Sequence, residues 1–212
     1  LQPSDVNELF NPRINNGGRN MNYKLKTALL AAALASAPIG LGAARAQPIT
    51  FDIDPVHSGI VFFINHLGFS NVIGVAREFS GEFTFDKDAP EASKLQATVK
   101  VSSISTNNAQ RDGDIQGADW FNATEFPEIT FVGTKFTKSS DKQGSITGDL
   151  TIAGVTKPVT LDVTFNGQGK NPWDNSLEAG FSATTKLKRS DFGMTANIPQ
   201  IGDEVTLRIE TE

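Results

Sequence analysis

Apolar and polar residues alternate along most of the chain after residue 47. In residues 49–53 the apolar side chains fall on one side of an extended chain and the polar ones on the other. The same alternation recurs in residues 79–85, 95–101, 146–152, 159–165, 177–183 and 205–209, and residues 58–65 form a further, more continuously apolar strand. Strands with one apolar and one polar face are typical of antiparallel sheets that bury one side.

The links between these segments have the composition of turns. Residues 86–90, 139–144, 154–158 and 166–172 are rich in Gly, Pro, Asn, Asp and Ser, which favour tight reversals. Residues 107–121 break the alternation and predict one or two helical turns. About eight strands with short links and one continuous apolar face predict a sheet closed on itself. We therefore expect an all-β protein, an extended antiparallel β-barrel of about eight strands with one short helical segment.

The N-terminal part has a different pattern from the rest. Lys24 and Lys26 precede an Ala- and Leu-rich run, and Ala44 and Ala46 supply the small residues that a signal peptidase accepts. The run is too short and too rich in alanine for a stable membrane span. We expect residues 1–20 to be a spurious or disordered extension, residues 21–46 a cleaved signal peptide, and residues 47–212 a β-barrel exported to the periplasm.

Charge and composition exclude several partners and chemistries. Cleavage after residue 46 would leave 14 basic and 22 acidic residues, a net charge of −8. Such a surface argues against nucleic acid, whose phosphates require clustered Lys and Arg. The absence of cysteine removes disulfides, thiolate metal sites and cysteine nucleophiles. His57 and His66 lie nine residues apart, roughly 30 Å in an extended strand, so we expect no metal and no cofactor.

The pattern alone leaves open what fills the barrel. A barrel of about eight strands is filled by its own side chains or holds one small ligand. The inward positions mix phenylalanines with the small residues Gly81, Ala97, Gly148, Ala179 and Ala183. Small residues either leave room for a ligand or relieve crowding where strands bend.

Residues Asp54, His57 and Ser58 are the types found in a hydrolase triad, but their spacing does not support one. No Gly-x-Ser-x-Gly turn is present, and neighbours on an extended chain do not converge on a nucleophile. A turn that starts at Asp54-Pro55, with side chains bound to backbone groups, is the simpler interpretation. We expect a binding protein rather than an enzyme.

The helical segment carries residues that could close one end of the barrel. Arg111 either faces a ligand head group at the mouth or belongs with Asp112 to a capped helix start. The adjacent Trp120 and Phe121 predict a lid or plug over a dry interior more than a surface patch. Arg189 is a second possible head-group contact, and a solvated strand end is the alternative.

Four ordered blocks of the chain resemble the YceI-like family of bacterial exported proteins. The blocks are Asp54-x-x-His57-Ser58 with His66 and Gly81-x-Phe83-x-Phe85; Thr106 to Arg111-Asp112 with Asp119-Trp120-Phe121 and Phe126 to Phe131; Gly148 to Val159; and Arg189 to Met194 with Ile201-Gly202-Asp203-x-Val205. The resemblance covers essentially the whole chain after the signal peptide. The family usually has a histidine after Arg-Asp, where Gly113 stands here, and often two phenylalanines in place of Trp120-Phe121.

The resemblance implies a lipocalin-like β-barrel that holds a long isoprenoid or similar amphiphilic lipid in an apolar tunnel for transport, storage or sequestration. Quinones and polyprenyl phosphates are the usual candidates, and some relatives occur beside membrane cytochromes of the b561 type, which suggests a quinone-linked partner. The alternatives are an enzyme that uses His57 or His66 on a bound isoprenoid, and a stress or interaction module with a structural lipid. Pairing of strand edges into a homodimer is also plausible.

The site residues follow from the alternation and the resemblance together. The expected wall and cover of the tunnel are Phe62, Ile64, Phe83, Phe85, Val99, Trp120, Phe121, Phe131, Leu150, Leu161, Phe181 and Leu207. The expected head-group contacts at the mouth are His57, His66, Arg111 and Arg189. The register of the strand through residues 60–64 is the least determined, because Val61 and Phe63 are apolar too.

Overall fold

A computed structural model describes residues 48–86 and 89–212 of the chain, and eleven strands in these residues form one antiparallel sheet. The expected extension at residues 1–20 and the expected signal peptide at residues 21–46 lie outside the described residues. In chain order the strands are β1 (Ile49–Asp52), β2 (Gly59–His66), β3 (Ser70–Ala76), β4 (Phe79–Phe85), β5 (Lys94–Lys100), β6 (Ile104–Ser105), β7 (Glu128–Lys138), β8 (Gln143–Ile152), β9 (Val155–Lys170), β10 (Leu177–Lys188) and β11 (Ile201–Thr211).

The sheet curls so that residues along its whole width, from Ile53 beside β1 to Ile104 in β6, face one interior. The strand order is β1-β4-β5-β7-β8-β9-β10-β11-β2-β3-β6. The amide of Arg77 donates to Ser103 O at 3.3 Å and extends the β3–β6 pairing, and Lys100 N donates to Glu78 O at 2.9 Å and extends the β4–β5 pairing. At the other edge Asp54 N, just after β1, donates to Glu212 O at 2.9 Å. The all-β, lipocalin-like barrel is therefore confirmed.

The strand count is eleven rather than about eight, and two of the three additional strands have a common cause. In β3, Val72 and Ile73 are adjacent apolar residues that face opposite sides of the sheet, so the alternation is hidden. In β7, Phe131 points inward while its neighbour Val132 is an exposed apolar residue, which hides the alternation in the same way. The third, β6, has only two residues and is too short to show a period.

One helix, α1 (Ala109–Ile115), lies in the segment where helical turns were predicted. Its first turn is capped by Asn108, whose side-chain oxygen accepts a hydrogen bond from Arg111 N at 2.9 Å. This bond satisfies one of the amides that a helix start leaves free. Within the part of the chain that the structure describes, no helix combines the length and apolarity needed to cross a membrane.

The packed core lies against the inner face of strands β7 to β10. Its buried members are Phe131, Leu150, Ile152, Leu161, Ala183, Phe192 and Met194. Gly148 makes this packing possible, because a Cβ there would lie 2.4 Å from Cζ of Phe131. The core occupies only part of the barrel and leaves a large space beside it.

Candidate functional site

A cavity of about 1000 Å³ runs along the inside of the barrel. Every residue predicted for the tunnel wall and cover borders it: Phe62, Ile64, Phe83, Phe85, Val99, Trp120, Phe121, Phe131, Leu150, Leu161, Phe181 and Leu207. Contact of these residues with a lipid stays a prediction. The cavity is at the upper end of the range of roughly 300–1,000 Å³ that ligand sites occupy.

The strand of uncertain register, β2, turns Phe62 and Ile64 into the cavity. Ile60 and His66 on the same strand also border it. The alternate residues Val61 and Phe63 pair with Val75 and Ile73 of β3 on the outer side of the sheet. Phe62 and Ile64 are therefore the inward residues of this strand, although the outer side of this hairpin is apolar as well.

Four phenylalanines form a contact network in the cavity wall. The Phe181 ring lies 5.3 Å from Phe83, 5.2 Å from Phe85 and 5.3 Å from Phe165, measured between ring centroids. Phe165 was in the alternation but was not chosen as a wall residue. Other apolar residues that the choice missed also border the cavity: Ile60, Phe79, Leu95, Ile129, Ile146, Val163 and Ile209.

The sequence left two roles open for the small inward residues, namely to leave room for a ligand or to relieve crowding, and both roles occur. Ala97 and Ala183 border the cavity, so their short side chains leave room there. A Cβ at Gly81 would lie 2.5 Å from Gln96 O, and one at Gly148 would meet the Phe131 ring. These glycines relieve crowding instead.

The cavity has polar residues at both ends, which we name by the elements there. At the α1 end it is bordered by His66, Arg111, Asp114 and Asn197, with Trp120. At the β7–β8 end it is bordered by Lys94, Lys138, Asp141 and Lys142, with Glu210 nearby in the wall. Between these ends the lining is almost entirely apolar.

The guanidinium of Arg111 is fixed by two hydrogen bonds and has further N–H groups that could bind a ligand. Its Nε donates to Thr106 Oγ1 and its Nη2 to Thr106 O, both at 2.7 Å. A guanidinium has five N–H groups, so three remain without a partner among the described residues. Asp112 stabilises the same loop by accepting a hydrogen bond from the Thr106 hydroxyl. This hydrogen bond lowers the pKa of Asp112 below its usual value, and the positive charge of Arg111 lowers it further.

Arg189 is placed differently from the prediction of an open mouth contact. Although it borders the cavity, it is only 2% exposed. Its guanidinium donates to Gly202 O at 2.9 Å, Met194 O at 2.7 Å, Ala196 O at 2.7 Å and Ile201 O at 2.9 Å. These bonds use four of its five N–H groups. The guanidinium carbon also lies 4.8 Å from the centre of the Trp120 ring, so Arg189 fixes the loop and the aromatic cover at this end.

His57 lies outside the cavity lining, in the turn after β1. Its Nδ1 lies 2.6 Å from Asp54 Oδ2, and Asp54 Oδ1 accepts from Val56 N at 2.8 Å. This is the turn predicted from Asp54-Pro55. The hydrogen bond and negative charge of Asp54 raise the pKa of His57, while the hydrogen bonds from Val56 N and from His57 lower the pKa of Asp54. His66, in contrast, is at the α1 end of the cavity.

Replacing Asp54 with Asn is expected to lower the pKa of His57 toward its usual value of 6.5. The raised pKa means that the pair stabilises the fold below pH 6.5 and that this contribution is lost as pH rises through the folded-state pKa. The lowered pKa of Asp54 sets the acid limit, since its contribution is lost as pH falls below 3.8. An NMR titration of the His57 ring measures the shift, and His66 in the same spectra is the control. An unchanged His57 pKa would contradict the pairing.

No group of three or more His, Asp or Glu side chains within residues 48–86 and 89–212 is arranged to hold a metal ion. The chain has no cysteine to add to such a site. The described part of the site therefore consists of an apolar cavity with polar ends.

Comparison with known proteins identifies the family. A family model described as the YceI-like domain matches residues 51–212. The UPF0312 protein of Azotobacter vinelandii is 41% identical over 188 residues, which are 89% of this chain and 97% of the relative. The crystal structure of the Campylobacter jejuni YCEI protein is 38% identical, has a TM-score of 0.64 and covers 70% of this chain and 90% of its own.

A more distant structure shares the fold. It is described as a polyisoprenoid binding domain from Saccharophagus degradans, and it matches with a TM-score of 0.53 and 14% identity over 76% of this chain and 95% of that one. The family model and the close relative together cover nearly all of the barrel. The chain therefore belongs to the YceI-like family, as its four sequence blocks indicated.

Proposed function

We propose that this protein binds a long isoprenoid or a similar amphiphilic lipid in its cavity and carries, stores or sequesters it without chemical change. The observation that carries the proposal is the continuous apolar lining of a cavity of about 1000 Å³, with polar groups only toward its ends. Membership of the YceI-like family and the description of the Saccharophagus degradans domain as polyisoprenoid-binding support the same ligand class.

The energetics are compatible with tight binding. An isoprenoid tail that loses on the order of 600 Å² of apolar surface to the cavity gains about 15 kcal/mol. Loss of translational freedom and ordering of the tail offset several kcal/mol of this gain. Micromolar binding needs about 8 kcal/mol, so it is reached as long as these costs stay below about 7 kcal/mol. A wall of Phe, Leu, Ile and Val recognises width and apolarity, and therefore the ends of the cavity must select the head group.

The α1 end favours a head group that accepts hydrogen bonds and carries little charge. Arg111 offers three N–H groups there, but Asp114 borders the same end and Asp112 is bonded beside it. The two carboxylates offset the charges of Arg111 and of Arg189, which lies at the same end, so a phosphate would gain little net attraction. A quinone carbonyl needs only donors, and we therefore rank a quinone ahead of a polyprenyl phosphate.

The absence of catalysis is part of the proposal. His57, one of two imidazoles in the enzyme hypothesis, is outside the cavity lining and bonded to Asp54. That leaves His66 as the one imidazole at the α1 end, and no hydrogen bond between its ring and a carboxylate is present in the described part of the chain. The periplasmic location, a quinone-linked cytochrome partner and a homodimer stay predictions.

A fluorescence titration with isoprenoids of increasing chain length tests the proposal. We expect micromolar or tighter dissociation constants, with affinity that rises with chain length until the tail fills the cavity. A straight-chain fatty alcohol of equal length is the control for general apolar binding. If isoprenoids of every length fail to bind, the proposal is wrong.

Replacing Arg111 with Ala is expected to weaken binding of an isoprenoid quinone by about 10-fold, because a buried hydrogen bond to a charged donor contributes about 1.5 kcal/mol. The bare tail should bind as before, since it contacts only the wall. The matched control is Lys142→Ala, which removes a cation from the β7–β8 end of the same cavity. If the two variants have equal effects, the head group is not selected at the α1 end.

A further inference from the structure

The β2–β3 hairpin and the loop beside it form a surface without formal charge. Residues 57–76 contain no Asp, Glu, Lys or Arg, in a chain of which 20% of residues are charged. Residues 192–202 also lack all four. The two segments are neighbours, because Leu67 N donates to Gln200 O at 2.7 Å. The chain as a whole is acidic, so this region is where repulsion from an anionic surface is weakest.

Large apolar side chains are exposed on this surface. Phe69 at the hairpin tip is 88% exposed, Ile73 55% and Leu67 50%. Ile198 in the neighbouring loop is exposed as well. Exposed apolar side chains scattered singly are ordinary, whereas a cluster of them marks a surface that contacts another apolar phase.

The tip keeps an apolar residue where the backbone favours a polar one. Leu67 and Gly68 both have positive φ, 55° and 76°, which is the turn geometry that prefers Asn-Gly. A leucine in the left-handed region carries a conformational penalty. The tip amides are nevertheless satisfied: Gly68 N donates to Asn65 Oδ1 at 2.8 Å and Phe69 N to His66 O at 3.0 Å. The tip can therefore leave water without exposing unpaired donors.

This surface is continuous with the α1 end of the cavity. His66, which precedes Leu67, and Ile201, which follows Gln200, are paired neighbours that both border the cavity. Arg189 binds Ile201 O and lies over Trp120, the aromatic cover of the same end. The exposed tip is thus joined by direct contacts to the residues that close the cavity.

We propose that the β2–β3 hairpin tip, with the loop at Ile198, docks on a lipid bilayer and places the α1 end of the cavity at the membrane surface for lipid transfer. This rests on the proposed function, because a membrane lipid must leave the bilayer to reach the cavity. A tip of four apolar side chains suits shallow insertion between head groups. These four side chains are only partly exposed and only Phe69 is aromatic, so together they offer less than the roughly 800 Å² per partner that a stable protein interface buries.

The test uses sedimentation with phosphatidylcholine vesicles that contain a fluorescent isoprenoid. The variant is Leu67→Asn with Phe69→Ser, and the asparagine suits the turn, so folding is expected to be kept. We expect vesicle binding and the rate of isoprenoid uptake from vesicles to fall at least about 10-fold. The matched control is Trp173→Ser, which removes an equally exposed aromatic (89%) from the hairpin at the opposite end of the barrel. It should behave like the unaltered protein.

Two further readouts separate the explanations. Isoprenoid added from ethanol should bind the tip variant as tightly as the unaltered protein, because the cavity is unchanged. If the unaltered protein does not bind isoprenoid added from ethanol, the proposed function is wrong. Sedimentation with vesicles measures membrane docking independently of that result. Absence of vesicle binding, an equal loss in Trp173→Ser, or a dimer that the tip variant dissociates would overturn the docking proposal. Vesicle binding that disappears at high salt would also overturn it, since an uncharged tip is insensitive to screening.

Discussion

Replacing Arg189 with Met is expected to remove a large part of the stability of the protein. The methionine keeps much of the side-chain volume but leaves the carbonyls of Gly202, Met194, Ala196 and Ile201 without their donor. Each buried carbonyl left unsatisfied costs about 1–3 kcal/mol. Only the bond to Met194 O is fully buried and the other three are partly buried, so we expect a total loss of about 3 kcal/mol, against the roughly 5–15 kcal/mol by which folded domains are stable. Urea denaturation followed by circular dichroism measures the loss.

The neighbouring cation provides the control for this substitution. Lys188 carries the same charge one residue earlier and is exposed, so Lys188→Met should change stability by no more than about 0.5 kcal/mol. A loss below about 1 kcal/mol in Arg189→Met would mean that water replaces the guanidinium on these carbonyls. The loop would then not depend on Arg189, and the residue could serve a head group as the sequence suggested.

Replacing Ala97 with Phe is expected to block the cavity while the barrel remains folded. Ala97 borders the cavity near the middle of β5, so a phenyl ring there would divide the space between the two ends. A tail that loses about 100 Å² of buried surface loses about 2.5 kcal/mol, which weakens binding by about 60-fold. A long isoprenoid should lose this affinity, while a short one that fits in half of the cavity should keep most of it. The same fluorescence titration measures both.

The adjacent residue offers a control on the other face of the strand. Gln96 is exposed and is not part of the cavity wall, so Gln96→Phe adds the same side chain outside the barrel. The Gln96→Phe variant should bind the long isoprenoid with the same affinity as the unaltered protein. Equal loss in the two variants, or unchanged binding in Ala97→Phe, would show that the tail does not pass through the barrel.

The cavity wall was predictable because a strand has a strict period of two. Once one inward residue of a strand is known, every second residue along that strand is predicted to face inward as well, as with Phe83 and Phe85 in β4. Leu150 in β8 was assigned in the same way. The pattern fails where both faces are apolar, as in Phe131-Val132 and Val72-Ile73, and so β3 and β7 were missed. The volume of the cavity was not predictable either, because Gly148 and Ala97 look alike in sequence while one accommodates the Phe131 ring and the other borders open space.

The polar residues were harder to assign than the wall. Outside the strands no periodicity indicates which way a basic side chain points. Arg111 and Arg189 therefore look equally suited to contact a head group when only the sequence is known. Their hydrogen bonds separate them: Arg189 donates to four carbonyls and is buried, while Arg111 is held by Thr106 alone. Such partners lie in loops whose path depends on tertiary packing, which local sequence does not specify.

The central claim is that the barrel holds a lipid, and mass spectrometry of the protein purified from its native source without detergent tests it most directly. Lipids extracted from the purified protein should contain one isoprenoid species at close to one molecule per chain, and a quinone is the species that we expect. Ala97→Phe, purified in the same way, should contain little of it. A protein that carries no lipid, or a mixture of membrane phospholipids in equal amounts in both forms, would contradict the account.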